Sequence, residues 1–436
     1  MKKTEFFSPL LEERYYLMEH PSGLSVYVFP KELTTTYALF STRYGSIDNC
    51  FCLEGGERET VPDGIAHFLE HKLFENEDGS DAFGRFSALG ADANAYTSYQ
   101  RTAYLFSCTE HFEESLAELL RFVTHPHFTK ESVEREQGII SEEIRMYEDN
   151  PWDRAQRQLL CGLYHRHPVR KNICGSLSSI RRITPELLYR CHEIFYNPSN
   201  MALVVCGDVD PDRVYELVDA MLWPKQKTTG FARILPREPA TVAKKELSCR
   251  MQVSKPLFYV GVKDPILPPT PAGRLRRDAA MTLLDEVLFS RAGELYNSLF
   301  EEGLITSAFF GGYSCADSFA YHCISGESDD PMQVLERIKT YVEQVKEKGI
   351  DPQVLERCRR VLYADELRAF DSTEEIANRL LAFVFDDAEI FSYPTLLQEI
   401  TREELEELLK DSYREEYYTI STVYPLENTE KEIPYA

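Results

Sequence analysis

The chain has 436 residues, with 48 Lys and Arg against 72 Asp and Glu, a formal net charge of −24. That length predicts two to four domains of about 100–200 residues each. Hydrophobic content of 43% with 12% aromatics fills real cores and excludes a disordered chain. The acidic balance argues against nucleic acid and against anionic membrane surfaces, since both call for a basic face. The 11 cysteines include no CxxC pair. They read as reduced, buried thiols, with no disulfide framework and no cysteine zinc site. The opening MKKTEFFSPLLEERYY has no apolar run of the signal-peptide kind, and no stretch approaches the roughly 20 apolar residues of a membrane span. A soluble, cytoplasmic protein is expected.

In chain order, Leu24–Phe29 and Thr36–Arg43 read as a strand pair, and Ala66–Phe74 as a short helix. Ala93–Thr97 and Thr102–Ser107 are strand-like, with alternating Tyr and Thr. Phe112–Val123 is an amphipathic helix, and Lys130–Tyr147 a longer one stopped by Asn150-Pro151. Regular βαβ spacing is missing. The pattern therefore predicts an α+β fold, a mostly antiparallel sheet with helices packed on one face. The later part predicts a strand at Leu257–Val262 and helices near Arg277–Phe289, at Pro331–Lys348 and from Pro352 onward.

Two segments resemble each other. ITPELLYRCHEIFYNPSNMALVVCGD starts at Ile183 and ITREELEELLKDSYREEYYTISTVYP at Ile400, a shift of 400 − 183 = 217 that also matches Thr184 to Thr401, Glu186 to Glu403 and Tyr196 to Tyr413. Each is a Thr-capped helix followed by a β-rich run. A duplicated unit is the simplest account. It gives domains at 1–225 and 246–436, joined by a proline-containing linker at 226–245.

The chemistry concentrates in Gly64-Ile65-Ala66-His67-Phe68-Leu69-Glu70-His71. On a helix, His67, Glu70 and His71 fall within an arc of roughly 100°. Apolar residues cover the rest, so the helix should be buried. Three ionisable groups on one buried arc need a shared partner. Two His at i and i+4 can bind one metal ion, with the Glu at i+3 beside the metal-bound water as general base. The alternative is a pair of satisfied core histidines and a surface Glu.

A third ligand is sought on SVEREQGIISEEIRMYEDNP. Its apolar stripe is Val133, Ile140, Ile144 and Tyr147, and Glu136 and Glu143 lie beside it, two turns apart. Glu142 points away, and Glu134 and Glu148 sit off the stripe. Glu143 is therefore the expected third ligand, and Glu136 an acceptor for a ligand His N–H. A solvated acidic helix would explain Glu131, Glu134 and Glu142 but not these two.

HFLEH followed some sixty residues later by EREQGIISEEIRMYEDNP resembles the pitrilysin/insulinase family of inverted-motif zinc peptidases. ALGADANAYTSYQRTAYLF, HPVRKNICGS and FYNPSNMALVVCGDV match family signatures in their expected order. The likeness spans essentially the whole chain and is strongest over Gly23–Asp208. It implies zinc on His67, His71 and Glu143, with Glu70 activating water and Glu136 as an auxiliary catalytic acid. It implies substrate binding at Asn94 and Ala95, by addition of an extended peptide to a sheet edge. It also implies two homologous α/β domains per unit of roughly 50 kDa, two such units closing around a chamber that admits unfolded peptides.

The second half departs from that pattern. Thr282–Phe289 aligns with His67–Phe74 and has neither histidine, so one zinc per chain is expected. Active members place an Arg and a Tyr where Glu302 and Thr306 stand, in register with Gly303-Leu304. A carboxylate cannot stabilise a developing oxyanion. The chain is thus similar to the zinc-motif member of bacterial insulinase-like pairs, with a homologous partner supplying Arg and Tyr in a heterodimer. A self-sufficient homodimer, and a non-catalytic scaffold or peptide-binding subunit, are the alternatives.

Overall fold

The computed structural model describes residues 2–222 and 230–427. The first part of the expected linker, residues 226–229, lies outside them. The strands are β1 (Lys3–Ser8), β2 (Glu13–Glu19), β3 (Ser25–Pro30), β4 (Thr36–Thr42), β5 (Cys50–Leu53), β6 (Arg58–Thr60), β7 (Asp92–Thr97), β8 (Thr102–Cys108), β9 (Met201–Gly207), β10 (Phe231–Arg233), β11 (Glu246–Met251), β12 (Leu257–Lys263), β13 (Phe309–Cys315), β14 (Ala320–Glu327) and β15 (Tyr418–Pro425). The helices are α1 (Ile65–Leu73), α2 (Ala82–Ala88), α3 (Phe112–Thr124), α4 (Lys130–Asp149), α5 (Pro151–Leu163), α6 (Leu177–Ile180), α7 (Pro185–Phe195), α8 (Pro211–Met221), α9 (Pro271–Phe289), α10 (Glu294–Glu301), α11 (Pro331–Lys348), α12 (Pro352–Ala369), α13 (Thr373–Phe385), α14 (Ser392–Glu399) and α15 (Arg402–Ser412). No helix among the described residues is long and apolar enough to cross a membrane.

The chain forms two compact units, and they are not successive halves. The first comprises Met1–Arg145, Lys171–Pro236 and Tyr363–Thr395; the second Met146–Arg170, Arg237–Leu362 and Leu396–Ala436. Each unit therefore takes a helix from the other half of the chain: α13 in the first, α5 in the second.

The first unit holds a seven-stranded sheet in the order β1-β2-β3-β9-β4-β8-β7. Only β3 and β9 run parallel; the other neighbours are antiparallel. The strand pair expected from Leu24–Phe29 and Thr36–Arg43 does not form. Instead β9 lies between them, with Val204 opposite both Tyr27 and Leu39. The reason is burial: MALVVCG is buried at every position, and a strand apolar on both sides belongs at the centre of a sheet.

Alternation splits β4 between two cores. Ala38 and Phe40 join the layer containing α1 and α3, while Tyr37 and Leu39 meet Ile376, Leu380 and Leu381 of α13. Helices thus cover both faces of this sheet, where the sequence suggested one. Burying each such Leu or Ile contributes about 1.5–3 kcal/mol, so α13 is integral to the first unit.

The second unit has a five-stranded sheet, β11-β15-β12-β14-β13, again with one parallel pair, β11 and β15. This repeats β3-β9-β4-β8-β7 strand for strand. The shift of 217 carries α7 onto α15, and Thr184 and Thr401 cap them by accepting from the N–H groups of Leu187 and Glu404. Tyr196 and Tyr413 end both helices, and a short 3₁₀ turn leads into β9 and β15. As α13 packs on β4 and β9, α5 packs on β12 and β15.

Candidate metal centre

Two tight turns set the site. Gly64 precedes α1 at φ +91°, and Gly175 has φ +79°. Side chains are rarely found in that region. Here they would also collide: a Cβ on Gly64 would lie 2.4 Å from the Cys174 carbonyl, and one on Gly175 2.4 Å from the Asp63 carbonyl. The turns lie back to back, tied by Ser179 Oγ donating to the Asp63 carbonyl at 2.7 Å and by the Lys171–Asp63 ion pair at 2.9 Å. The loop carrying Cys174 is thereby held against the first turn of α1.

Ile65, Ala66, Phe68, Leu69 and Leu73 sink α1 into the core, each 2% exposed or less. His67 and Glu70 are buried with them, and His71 is partly exposed. Helix α4 presents the acids. Val133, Ile140 and Ile144 are buried, as is Glu136, whereas Glu142 is solvated and pairs with Arg145. The apolar stripe ends at Ile144. Tyr147, expected on it, is exposed.

The three expected ligands lie together, each histidine facing a different oxygen of Glu143. His67 Nε2 lies 3.5 Å from Glu143 Oε1, and His71 Nε2 lies 3.6 Å from Glu143 Oε2. Donors sharing one tetrahedral ion with bonds near 2.0–2.1 Å are about 3.3 Å apart. Two imidazoles and a carboxylate are also a donor set that zinc accepts. The residues therefore fit zinc. Glu136 Oε1 is 3.0 Å from His71 Nδ1, a carboxylate contact of the kind that orients a ligating imidazole. Lys72 Nζ lies 3.9 Å from the other oxygen of Glu136. Burial disfavours a charged His71. Its hydrogen bond to Glu136 and the charges of Glu70, Glu136 and Glu143 outweigh that effect and raise its pKa.

Glu70 is held from β7: Thr97 Oγ1 donates to Glu70 Oε2 at 2.5 Å. β7 ends the sheet and pairs with β8 alone among the described residues. Asn94 and Ala95 lie on this edge, and the Ala95 N–H donates to its neighbour's side chain, Asn94 Oδ1, at 2.9 Å. That N–H is outside the ladder.

Cys174 also enters the site. Its Sγ lies 3.8 Å from His67 Nε2 and 4.0 Å from Glu143 Oε1, a grouping compatible with a shared metal ion. Burial, then the charges of Glu143 and Glu70, push its thiol up to about 12. Neither Cys174 nor the grip of Thr97 on Glu70 was visible in the sequence. The one local cue for Cys174 is the glycine after it.

The equivalent helix of the second unit has neither histidine. Asp285 stands where α1 has Glu70, and Thr282 and Glu286 stand for the two histidines. His322 Nδ1 lies 2.7 Å from Asp285 Oδ1, and the Tyr413 hydroxyl donates to that same oxygen at 2.8 Å. Glu302 pairs with Arg337 at 2.5 and 2.9 Å, and Thr306 Oγ1 donates to Glu327 at 2.9 Å.

Residues 52–176 match the family model described as insulinase (peptidase family M16), and residues 182–362 match that of the peptidase M16 inactive domain. The chain is 40% identical over 421 residues to the uncharacterized zinc protease YmfH of Bacillus subtilis (strain 168), covering 95% of this chain and 97% of that one. The chain belongs to the insulinase (M16) family. Among solved structures, an M16-like peptidase from Alicyclobacillus acidocaldarius superposes with a TM-score of 0.92 at 34% identity, covering 97% of this chain and 100% of that one. A protease from Helicobacter pylori shares the fold, with a TM-score of 0.81 at 18% identity over 95% of this chain and 100% of that one. The "inactive" M16 model falls largely on the half whose helix α9 lacks both histidines.

Proposed function

We propose that this chain is the catalytic subunit of a cytoplasmic, zinc-dependent endopeptidase that hydrolyses peptides or unfolded segments. The observation that carries the reading is the convergence of His67, His71 and Glu143, with Glu70 beside them and bonded to edge strand β7. One zinc ion per chain would be held by those three ligands and, when bound, supplies Lewis-acid polarisation of a carbonyl and of water.

The chain's own residues do the rest. Thr97 holds one oxygen of Glu70, leaving the other to take a proton from the attacking water and return it to the departing amine. Glu136 keeps His71 in its ligating tautomer. Asn94 and Ala95 on β7 receive an extended substrate as an added strand, the Ala95 N–H exchanging Asn94 Oδ1 for a substrate carbonyl. We further infer that 1–225 and 246–436 are copies of one unit, linked through 226–245.

Glu302 and Thr306 are engaged with Arg337 and Glu327, and neither can supply an oxyanion donor of Arg or Tyr type. A homologous partner subunit would bring both and close a chamber with this one. A non-catalytic peptide-binding subunit would share that deficit. It would have no use for a His67/Glu70/His71 arc facing Glu143, with His67 and Glu70 buried, which favours the catalyst. The test is peptide cleavage by the zinc-loaded chain alone, with the homologous partner, and with the partner's Arg replaced by Ala. Removing one preorganised donor typically lowers rate by about 10²–10³. Full activity of the lone chain would favour a homodimer. No activity in any mixture would favour the scaffold.

A further inference from the structure

We propose that a cleft within the second unit binds a small organic anion, whose phosphate or carboxylate group sits on Lys348, Arg357 and Arg402. The cleft has a volume of about 700 Å³, inside the range of roughly 300–1,000 Å³ usual for small-molecule sites. It opens among the last turns of α9 and α11 and the first turns of α10, α12 and α15. Every residue lining it belongs to the second unit, whereas the metal centre lies on α1 and α4 of the first.

The sorting of charge carries the inference. The chain has a net charge of −24, and other cations of α11 and α12 are paired: Lys339 with Glu336 at 3.4 Å, Lys346 with Glu343 at 2.7 Å and Arg360 with Glu356 at 2.8 Å. Lys348 and Arg357, on the same two helices, line the cleft and have no carboxylate within ion-pair distance among the described residues. Arg402 reaches Glu406 at 3.5 Å, but Glu406 Oε1 also accepts from the Ile350 N–H at 3.0 Å. That bond holds the turn between α11 and α12, where Gly349 takes φ +79° and a Cβ would lie 2.9 Å from the same oxygen. Two acids also line the cleft. Asp351 is spent on the Gln353 N–H at 2.7 Å, and Glu294 is left to accept from a ligand hydroxyl or amine. Grouped guanidinium and ammonium ions suit phosphate and carboxylate oxygens. The buried Val287 and Ile350 add apolar surface for the rest of the ligand, which a bare inorganic ion would leave unused.

Isothermal titration of the full chain with ADP and with citrate tests this independently of any cleavage. Binding of at least one is expected, at about one site per chain and weakening as salt rises. Lys348→Ala and Arg357→Ala should each weaken it by about tenfold, the loss of one charge-assisted hydrogen bond. Lys346→Ala, whose cation is already bound to Glu343, should leave it unchanged. Lys348 and Arg357 are exposed, so the urea midpoints of their variants should match wild type. Binding of ADP alone assigns the site to phosphates, and binding of citrate alone to carboxylates. Binding of neither overturns the proposal. An affinity that survives Lys348→Ala and Arg357→Ala overturns it too, by placing the anion elsewhere. So does an equal loss in Lys346→Ala, which would mean that the anion answers only to net charge.

Discussion

The two units share a sheet order and a helix in the same place, and they fill that place in opposite ways. In the second, the acid of α9 is spent on its neighbours: Asp285 binds His322 and Tyr413, while Arg277 forks onto Asp264 at 2.7 and 2.8 Å and Tyr313 donates to the same carboxylate. In the first, His67 and His71 face Glu143 at 3.5 and 3.6 Å, beyond hydrogen-bond length. The edge hairpins differ in what sits at the matching end: β7 and β8 close on the pair Thr97 and Thr102, whereas β13 and β14 close on Cys315 and Ala320, with Tyr313 and His322 paired two residues earlier. One copy bonds its helix carboxylate to a histidine and a tyrosine, though Asp285 Oδ2 and His322 Nε2 have no hydrogen-bond partner among the described residues. The other turns two histidines toward the Glu143 carboxylate.

The sharpest way to break that comparison is to remove a histidine from each unit. His71→Ala should abolish stoichiometric zinc and with it all cleavage, read by metal analysis and peptide assay. His322→Ala should leave about one zinc per chain and instead destabilise the fold by about 2–4 kcal/mol, read by denaturant unfolding, because Asp285 and Tyr413 lose a buried partner. Zinc still bound at one per chain in His71→Ala would dismiss the ligand set.

A smaller effect separates the two acids at the matched helix position. Glu70→Gln should keep zinc and lower cleavage in the intact complex by about 10²–10⁴. Asp285→Asn should not change the rate comparably. Equal losses in both would mean that Glu70 acts through folding and not as a base. The edge strands extend the test. Ala95→Pro removes the one N–H that β7 directs at its own Asn94, so peptide affinity should fall with zinc unchanged. Unchanged affinity would move the substrate off this edge.

Much of this contrast was legible in the sequence because it is local. The i, i+3, i+4 spacing of His67, Glu70 and His71 fixes their common arc whatever surrounds the helix, and the seven-residue step from Glu136 to Glu143 sets both on one side of α4. The repeat at a shift of 217 is likewise a local match. What stayed hidden depends on contacts distant in sequence. Nothing near Leu24–Phe29 indicates that β9, some 170 residues later, separates it from β4. Nothing in 373–385 indicates that α13 lines the first unit's sheet. Cys174 reaches His67 only because two glycine turns 111 residues apart pack back to back (175 − 64 = 111), and no spacing rule encodes that.

The smallest expected effect follows the repeat itself. His192 sits on α7 where the shift of 217 places Leu409 on α15, and Leu409 is fully buried. His192 Nε2 donates to the Val123 carbonyl at 2.9 Å, and its ring stacks on Tyr196 with centroids 4.8 Å apart. Burial lowers its pKa to about 4, against roughly 6.5 when unfolded. The folded state thus keeps this imidazole neutral while the unfolded state takes up a proton. Its contribution is intact above pH of about 6.5 and is lost as pH falls toward 4, at up to about 1.4 kcal/mol per pH unit. The second unit has Leu409 there, which does not titrate. His192→Leu makes the first unit resemble the second. Between pH 7 and 5.5, wild type should therefore lose about 1 kcal/mol more than the variant, as measured by urea unfolding at each pH. A difference that does not change with pH would mean that His192 is already charged in the fold, and that its bond to Val123 tolerates the charge.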